Sequence, residues 1–216
     1  RTSMNAYSGR YSVCEAADDP QGYAPGCGGS FAFDLNQRII AAAKGSLTDI
    51  AYISQYFNSA PAGMATFLSN HDAFAGDRLW TQLGGDVAQY KLAAATNLLM
   101  PGTPFIYYGE EIGMANAANI GDDGRLRSPM SWTPDTTRAG FTTGMPYRAL
   151  SSNVATQNVQ SQLTQGDSIL SFYKTLLQLR NSRASLTQGG YEKSFTQGAV
   201  MGFERRSGSE RSLVLF

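Results

Sequence analysis

The feature that most constrains this chain is an alternation of short apolar segments with longer segments of helical periodicity. The apolar segments have the length of β strands, and apolar residues recur at helical spacing in the segments that separate and follow them. The predicted strands are 11–14, 30–33, 64–68 and 105–108, and the predicted helices are 36–44, 47–57, 86–100 and 167–183. Since strands that alternate with helices form parallel βα units, the pattern predicts an α/β fold. Periodicity leaves two architectures open: half of an eight-stranded barrel, or a small doubly wound sheet.

The segments between and after these elements carry weaker signals. A stretch rich in Gly and Pro, 18–29, predicts a loop, and the long polar stretch 110–165 predicts a functional loop or lid. The apolar face expected on the helix 86–100 consists of Val87, Leu92, Ala95 and Leu99. Short β segments are predicted at 191–195, 199–205 and 211–216. The chain therefore changes from alternating strands and helices to a β-only pattern near residue 190.

Acidic and polar residues follow three of the four predicted strands. Glu15 follows the first, Asn70, His71 and Asp72 follow the third, and Glu110 and Glu111 lie just after the fourth. In a parallel barrel and in a doubly wound sheet, the chemistry lies at the carboxyl ends of the strands. This arrangement is what a catalytic rim requires.

Each candidate also has a structural interpretation. His71 is the only histidine of the chain, and a histidine beside Asp72 can bind a sugar hydroxyl or transfer a proton. The same residues could instead cap the next loop. Glu15 follows apolar residues, where desolvation favours the protonated carboxyl and suits a general acid, but taken alone it is better explained as a solvated residue at the start of a loop.

Composition excludes several classes of protein. The chain has 17 Lys and Arg against 17 Asp and Glu, so it lacks the cationic surplus that nucleic-acid binding requires. No apolar run reaches about 18 residues, the length of a membrane-spanning helix. The sequence also lacks a P-loop and a G-x-S-x-G elbow. We expect neither nucleic acid nor membrane as a partner.

Charge and cysteine content bear on location and on metals. Charged residues make up 16% of the chain, which favours a secreted or periplasmic protein and leaves a cytoplasmic one open. Cys14 and Cys27 either pair in an oxidising compartment or lie apart as small apolar side chains, and with two cysteines we favour the second. One histidine and two distant cysteines give no zinc pattern, and Asp122 and Asp123 lack the further ligands of a calcium loop. We predict no metal site in this chain and a hydrated loop at the acidic pair.

Several segments, in order, resemble the α-amylase family (glycoside hydrolase family 13). The segment FLSNHD at 67–72 resembles the family's fourth signature region after strand seven, and MPGTPFIYYGEE at 100–111 resembles its strand-eight region. The remaining similar segments are YSVCEA at 11–16 (strand five), SFAFD at 30–34 (strand six), RSPMSW at 127–132, and NVATQ at 153–157 with LLQLR at 176–180 (last barrel helix). Together they extend over nearly the whole chain.

The resemblance implies an α/β fold that is a partial TIM (β/α)8 barrel, strands five to eight, followed by the start of an all-β sandwich domain. The corresponding domains are 1–186 and 187–216. It also implies a retaining glycosidase acting on α-glucosidic bonds of starch-like glucans or maltooligosaccharides. Glu15 matches the family's acid/base and Asp72 its transition-state stabiliser. Asn70, His71, Tyr108 and Arg127 are then expected to bind substrate.

The match departs from the family pattern at the nucleophile. The family carries an Arg-x-Asp motif after strand four, and that region would precede residue 1. We therefore expect this chain to belong to a longer protein, to require the N-terminal half of its barrel, and to be inactive alone. No cofactor is expected in this segment, and calcium is possible in the N-terminal half.

The resemblance leaves substrate specificity open. In some exo-acting members an arginine of the strand-eight loop pairs with an acidic residue and closes the pocket. Arg125 and Arg127 lie in that loop, which mildly favours short oligosaccharides, although both could pair instead with Asp122 and Asp123. Aromatic residues that could stack on sugar faces or belong to the core are Phe74, Trp80 and Tyr108.

Two other activities stay open. A transglycosidase of the same family would use the same residues and differ in water access. A non-catalytic carbohydrate-binding relative is disfavoured because the chain keeps both Glu15 and Asp72.

Overall fold

The computed structural model describes Ser3 and residues 6–216, and it divides into two compact units. The first unit comprises Arg1–Phe67, Thr96–Phe105 and Arg180–Phe216, and the second comprises Leu68–Ala95 and Ile106–Leu179. The α helices are α1 Pro20–Cys27, α2 Asn36–Ala43, α3 Leu47–Tyr56, α4 Leu79–Gln82, α5 Val87–Leu99, α6 Val159–Gln162, α7 Ile169–Ser182 and α8 Ala184–Gln188. The strands are β1 Ser30–Phe31, β2 Met64–Thr66, β3 Thr103–Pro104, β4 Gly190–Gln197, β5 Val200–Ser207 and β6 Glu210–Leu215. None of the helices described is long and apolar enough to cross a membrane.

A parallel sheet in the order β1-β2-β3 lies in the first unit. Ser30 pairs with Met64, and Ala65 pairs with Thr103. Cys14 forms a parallel bridge to Ser30 on the other side of β1. Each strand thus lies beside its neighbour in sequence, without the reversal of order found at the switch point of a doubly wound sheet. The sheet is consistent with part of a barrel.

All four predicted strands differ from the structure, and two of them, 30–33 and 64–68, are only shortened at their ends, to Ser30–Phe31 and Met64–Thr66. The predicted strand 11–14 is reduced to the bridge at Cys14. The predicted strand 105–108 is displaced, since β3 is Thr103–Pro104 and ends before Tyr107. The amide of Glu110 donates to the Tyr107 carbonyl over 2.9 Å, so the backbone here turns instead of continuing along the sheet.

The predicted loop 18–29 is wrong, because it contains the helix α1. Asp19 caps this helix by accepting from the Gly22 amide over 3.0 Å, and Pro20 occupies the first turn, where a missing N–H costs nothing. Gly28 ends the helix in the left-handed region, at φ 96°. The Gly and Pro residues that indicated a loop include this helix's start and stop signals.

The predicted apolar face of helix 86–100 is also partly wrong. Val87 is 43% exposed and Leu92 is 37% exposed. The buried positions of α5 include Tyr90, Ala93, Ala94 and Leu98, at helical spacing, together with Leu99. Small side chains form much of the buried stripe, so a search for large apolar residues placed the face incorrectly.

The predicted β segments near the C-terminus are confirmed as an antiparallel sheet in the order β4-β5-β6. It lies in the first unit, where the Tyr191 hydroxyl donates to the Ser54 carbonyl of α3 over 3.0 Å. Arg205, on β5, is buried and donates to the carbonyls of Leu99 and Gly189. The predicted division at 186/187 stays a prediction.

Candidate active site

A tight turn, the 70–72 turn, is formed by Asn70, His71 and Asp72. The chain from β2 to Ser69 is buried, and the turn brings Asn70 and Asp72 to a partly exposed position. The Asn70 side-chain oxygen accepts from the Asp72 amide over 2.8 Å, which is an Asx-type turn. His71 is exposed, and its Nε2 lies 3.4 Å from Oδ2 of Asp72. The geometry is therefore compatible with both interpretations of these residues, as a cap of the next loop and as a group that binds a sugar hydroxyl or transfers a proton.

Arg127 holds this turn from a distant part of the sequence. Its Nη2 donates to Oδ1 of Asp72 over 2.7 Å and to Oδ2 of Asp123 over 2.9 Å, and its Nε donates to the His71 carbonyl over 2.9 Å. The Asp72 side chain is 22% exposed, so its carboxylate stays open to solvent while one oxygen is held. One guanidinium therefore fixes both the backbone and the carboxylate of the turn.

Asp123 also binds Arg127, although the sequence predicted only a hydrated loop at this residue. That assignment is wrong, because its Oδ1 accepts from the Ala73 amide over 2.8 Å while its Oδ2 binds Arg127. The proposed pairing of Arg127 with the acidic pair is confirmed at Asp123. Arg125 instead pairs with Asp77 over 2.6 Å and donates to the backbone carbonyl of Asp122. Contacts between segments about 50 residues apart leave no local sequence signal.

A cavity of about 300 Å³ opens beside Arg127 in the second unit. Two predicted site residues line it: Tyr108, from the segment after β3, and Arg127, from the segment RSPMSW. Its lining consists of Tyr108, Arg127, Ser128, Pro129, Met130, Phe141, Tyr147 and Arg148. The mixture of aromatic faces and guanidinium donors suits a small polar ligand with apolar faces.

The three predicted stacking aromatics have different environments. Tyr108 lines the cavity and is 40% exposed, and its hydroxyl donates to the Ser128 carbonyl over 2.6 Å. Phe74 is 63% exposed. Trp80 packs on Tyr90 with ring centroids 5.9 Å apart, which favours its interpretation as a core residue. Phe141 and Tyr147, which the sequence analysis did not single out, are exposed at the cavity.

Glu15 lies in the first unit, apart from the residues of the 70–72 turn in the division of the chain. Its side chain is exposed, which agrees with the interpretation of Glu15 as a solvated residue at the start of a loop and not with a desolvated carboxyl. The preceding residue, Cys14, forms a disulfide with Cys27, so the preferred expectation of two separate thiols is wrong. The Cys14 amide donates to the Gly29 carbonyl over 2.9 Å. Glu15 therefore follows a residue that is fixed both to the sheet and to the end of α1.

Comparison with known proteins gives consistent relatives. The profile of the family described as "Alpha amylase, catalytic domain" matches residues 34–189. Trehalose synthase of Thermus thermophilus is 35% identical over 151 residues, 64% of this chain and 15% of that protein. The α-amylase SusG of Bacteroides thetaiotaomicron is 40% identical over 129 residues, 60% of this chain and 18% of that protein. Trehalose-6-phosphate hydrolase of Escherichia coli is 31% identical over 189 residues, 70% of this chain and 33% of that protein.

Among solved structures, the α-amylase from H. orenii matches all of this chain with a TM-score of 0.79 and 26% identity. The match covers 45% of that structure, so this chain spans less than half the length of the proteins it resembles. Since the family profile covers 34–189, well over half of the residues, the chain belongs to the α-amylase family.

Proposed function

We propose that this chain is part of a retaining glycosidase that acts on α-glucosidic bonds of glucans or maltooligosaccharides. The observation that supports this most is the 70–72 turn. The Asp72 carboxylate is held on one oxygen by Arg127, which itself lines a cavity of about 300 Å³, and the Asp72 side chain is 22% exposed. A carboxylate held in this way is suited to bind sugar hydroxyls most tightly when the ring carries positive charge in the transition state.

Five of the proposed site residues lie in the second unit. Asp72 stabilises the oxocarbenium-like state, while Asn70 and His71 shape and extend the sugar-binding turn. Tyr108 and Arg127 border the cavity, where a neighbouring sugar ring can stack and bind. Their participation is supported by the position of all five residues in one compact unit.

Glu15 is proposed as the acid/base that protonates the leaving oxygen and then deprotonates the incoming water or hydroxyl. Glu15 lies before the matched range 34–189, so its proposed role depends on the YSVCEA motif and on the structural match that extends over the full chain. The nucleophile is proposed to come from the N-terminal half of the barrel, which also would contain any calcium site.

A transglycosidase is the second candidate, and its support is specific. Relatives at 35% identity are named trehalose synthase, alongside relatives named glucosidase and amylase. Hydrolysis and transfer share the same carboxylates and differ in whether water or a sugar hydroxyl reaches the intermediate. Chromatography of the products from a maltooligosaccharide distinguishes them, since a transglycosidase forms new disaccharides.

The domain division and the location are also proposed. The proposed domains are 1–186 and 187–216; the matched range ends at residue 189 and β4 begins at Gly190, within a few residues of this division. The Cys14–Cys27 disulfide supports a secreted or periplasmic location, since disulfides persist in oxidising compartments.

The experiment that tests the proposed function separates binding from turnover. The 216-residue chain is titrated with maltotriose by calorimetry and assayed with maltooligosaccharides and an aryl α-glucoside. We expect binding that is lost in Asp72→Asn and kept in the matched control Asp18→Asn, and no turnover. Turnover by this chain that depends on Glu15 would overturn the assignment of the nucleophile to another segment. Binding that is unchanged in Asp72→Asn would overturn the proposed site.

A further inference from the structure

A buried carboxyl group lies behind the 70–72 turn. Glu110 is 2% exposed, and its Oε1 accepts from the Ser69 hydroxyl over 2.6 Å. Its Oε2 is buried and has no hydrogen-bond partner among the described residues. If Glu110 were ionised, the buried Oε2 would carry negative charge without a hydrogen-bond donor. The protonated, neutral carboxyl costs less free energy to bury, so it is the favoured form here.

Glu110 connects two segments that carry candidate site residues. Ser69 immediately precedes Asn70, whose side chain closes the 70–72 turn. The Glu110 amide donates to the Tyr107 carbonyl over 2.9 Å, next to Tyr108 of the cavity. Its own carbonyl accepts from the Tyr90 hydroxyl over 2.7 Å, which anchors it to α5. The side chain of Glu110 is therefore a direct link between the turn and the cavity segment.

None of the described groups that face Glu110 donates a hydrogen bond to its Oε2, so a negative charge on this carboxyl would not be fully compensated. Arg78 is buried, but its guanidinium donates to the Leu126 carbonyl through Nε and Nη2 and to the Tyr108 carbonyl through Nη1. The other titratable groups near Glu110 are Glu111, Tyr90 and Tyr173. Burial raises the pKa of Glu110 to about 8. The Ser69 hydrogen bond, the Arg78 charge and a backbone hydrogen bond from Tyr107 lower it, and the Glu111 charge raises it.

We propose that Glu110 is a positioning residue for the 70–72 turn and that it works as a neutral carboxylic acid. While it is protonated it stays in the dry site and holds Ser69. Transfer of its proton to hydroxide or buffer base leaves a buried anion whose Oε2 has no hydrogen-bond donor among the described residues, which is unfavourable. The ionised form therefore favours arrangements in which Oε2 reaches water, and Ser69 and the turn move with it.

The only histidine of the chain is a built-in probe of this movement. His71 lies in the turn, so its imidazole signals in an NMR spectrum come from one residue. The full chain is titrated from about pH 6 to 9.5, above and below the pKa of about 8 that burial gives to Glu110. We expect an inflection near pH 8 in the His71 signals, which reports the ionisation of Glu110. The inflection is lost in Glu110→Gln and kept in the matched control Glu111→Gln.

A second variant keeps the test decisive if Glu110→Gln folds poorly. Ser69→Ala removes the link and leaves Glu110 in place, so it should also remove the inflection near pH 8 from His71. Absence of the inflection in the wild-type chain, or its persistence in either Glu110→Gln or Ser69→Ala, overturns the proposal.

The consequence for sugar binding depends on the proposed function and has its own readout. Maltotriose is titrated by calorimetry at two pH values, one below and one above 8. We expect about fivefold weaker binding at the higher pH in the wild type, equivalent to about 1 kcal/mol, and a constant affinity in Glu110→Gln. A chain that shows the inflection but binds no maltotriose supports the positioning role and counts against the proposed function. Maltotriose binding without the inflection supports the function and overturns the positioning role.

Discussion

The Nη2 atom of Arg127 lies 2.7 Å from Oδ1 of Asp72, across 55 residues of sequence. The same guanidinium holds the His71 carbonyl and the Asp123 carboxylate, so it fixes the direction in which Asp72 faces. Held side chains lose less freedom when they bind a ligand, which makes a pre-positioned carboxylate a better partner for a sugar hydroxyl.

Replacing Arg127 with Met should therefore weaken maltotriose binding without unfolding the chain. We expect about fivefold weaker binding, since a partly exposed ion pair contributes about 1 kcal/mol. The measurement is calorimetric titration of the full chain. Arg125→Met is the matched control, because Arg125 pairs with Asp77 and not with Asp72. An equal loss in both variants would show that the loop as a whole, and not the Arg127–Asp72 contact, supports binding.

The alternating pattern was sufficient to locate most elements of this fold. The four predicted helices are found with ends shifted by at most two residues, because amphipathic periodicity is local information. The strand 105–108 was misplaced because apolar residues continue past Phe105, while the turn at Tyr107 is fixed by a hydrogen bond that composition does not indicate. The helix α1 was missed because its Gly and Pro content resembles a loop.

The candidate site was likewise predicted only in part. Asp72 and Arg127 were found through motifs that lie next to them in sequence. The contact of Asp123 with the Ala73 amide and the role of Ser69 were missed because these contacts join residues that are distant in the chain. Burial of Glu110 was likewise not visible, since charged residues are rarely buried and the GEE segment looks like an exposed loop start.

The Cys14–Cys27 disulfide is expected to stabilise the chain. The two cysteines are 13 residues apart, and closing a loop of roughly this size contributes about 3 kcal/mol in the chain-entropy description. A variant with both cysteines replaced by serine should lose about this much free energy of unfolding in a urea titration followed by circular dichroism. A dithiol reductant should produce a similar loss in the wild type and none in the variant. A wild type that is insensitive to reductant would contradict the predicted contribution.

Arg205 is expected to be important for stability through its backbone contacts. It is 1% exposed and donates to Leu99 and Gly189 over 2.9 to 3.2 Å, which satisfies carbonyls at the end of α5 and before β4. Arg205→Met would leave these carbonyls without their donor and should cost about 2–4 kcal/mol of unfolding free energy. Arg206→Met, at the exposed neighbouring position, should change it by about 0.5 kcal/mol or less. Similar losses in both variants, measured by urea unfolding, would contradict this role.

Burial of Glu110 predicts a pH dependence of stability whose sign follows from proton linkage. Its pKa rises from 4.5 to about 8 in the folded chain, so between these values the folded state keeps a proton that the unfolded state has released. Its contribution to stability is complete below about pH 4.5 and is lost as pH rises through about 8. The unfolding free energy of the wild type should therefore fall over this interval relative to Glu110→Gln, and the difference should level off above it. Urea titrations at several pH values measure the difference, and Glu111→Gln should keep the fall, displaced to slightly lower pH because the Glu111 charge raises the pKa of Glu110. Parallel curves for the wild type and Glu110→Gln would show that the Glu110 carboxyl is not shielded from water.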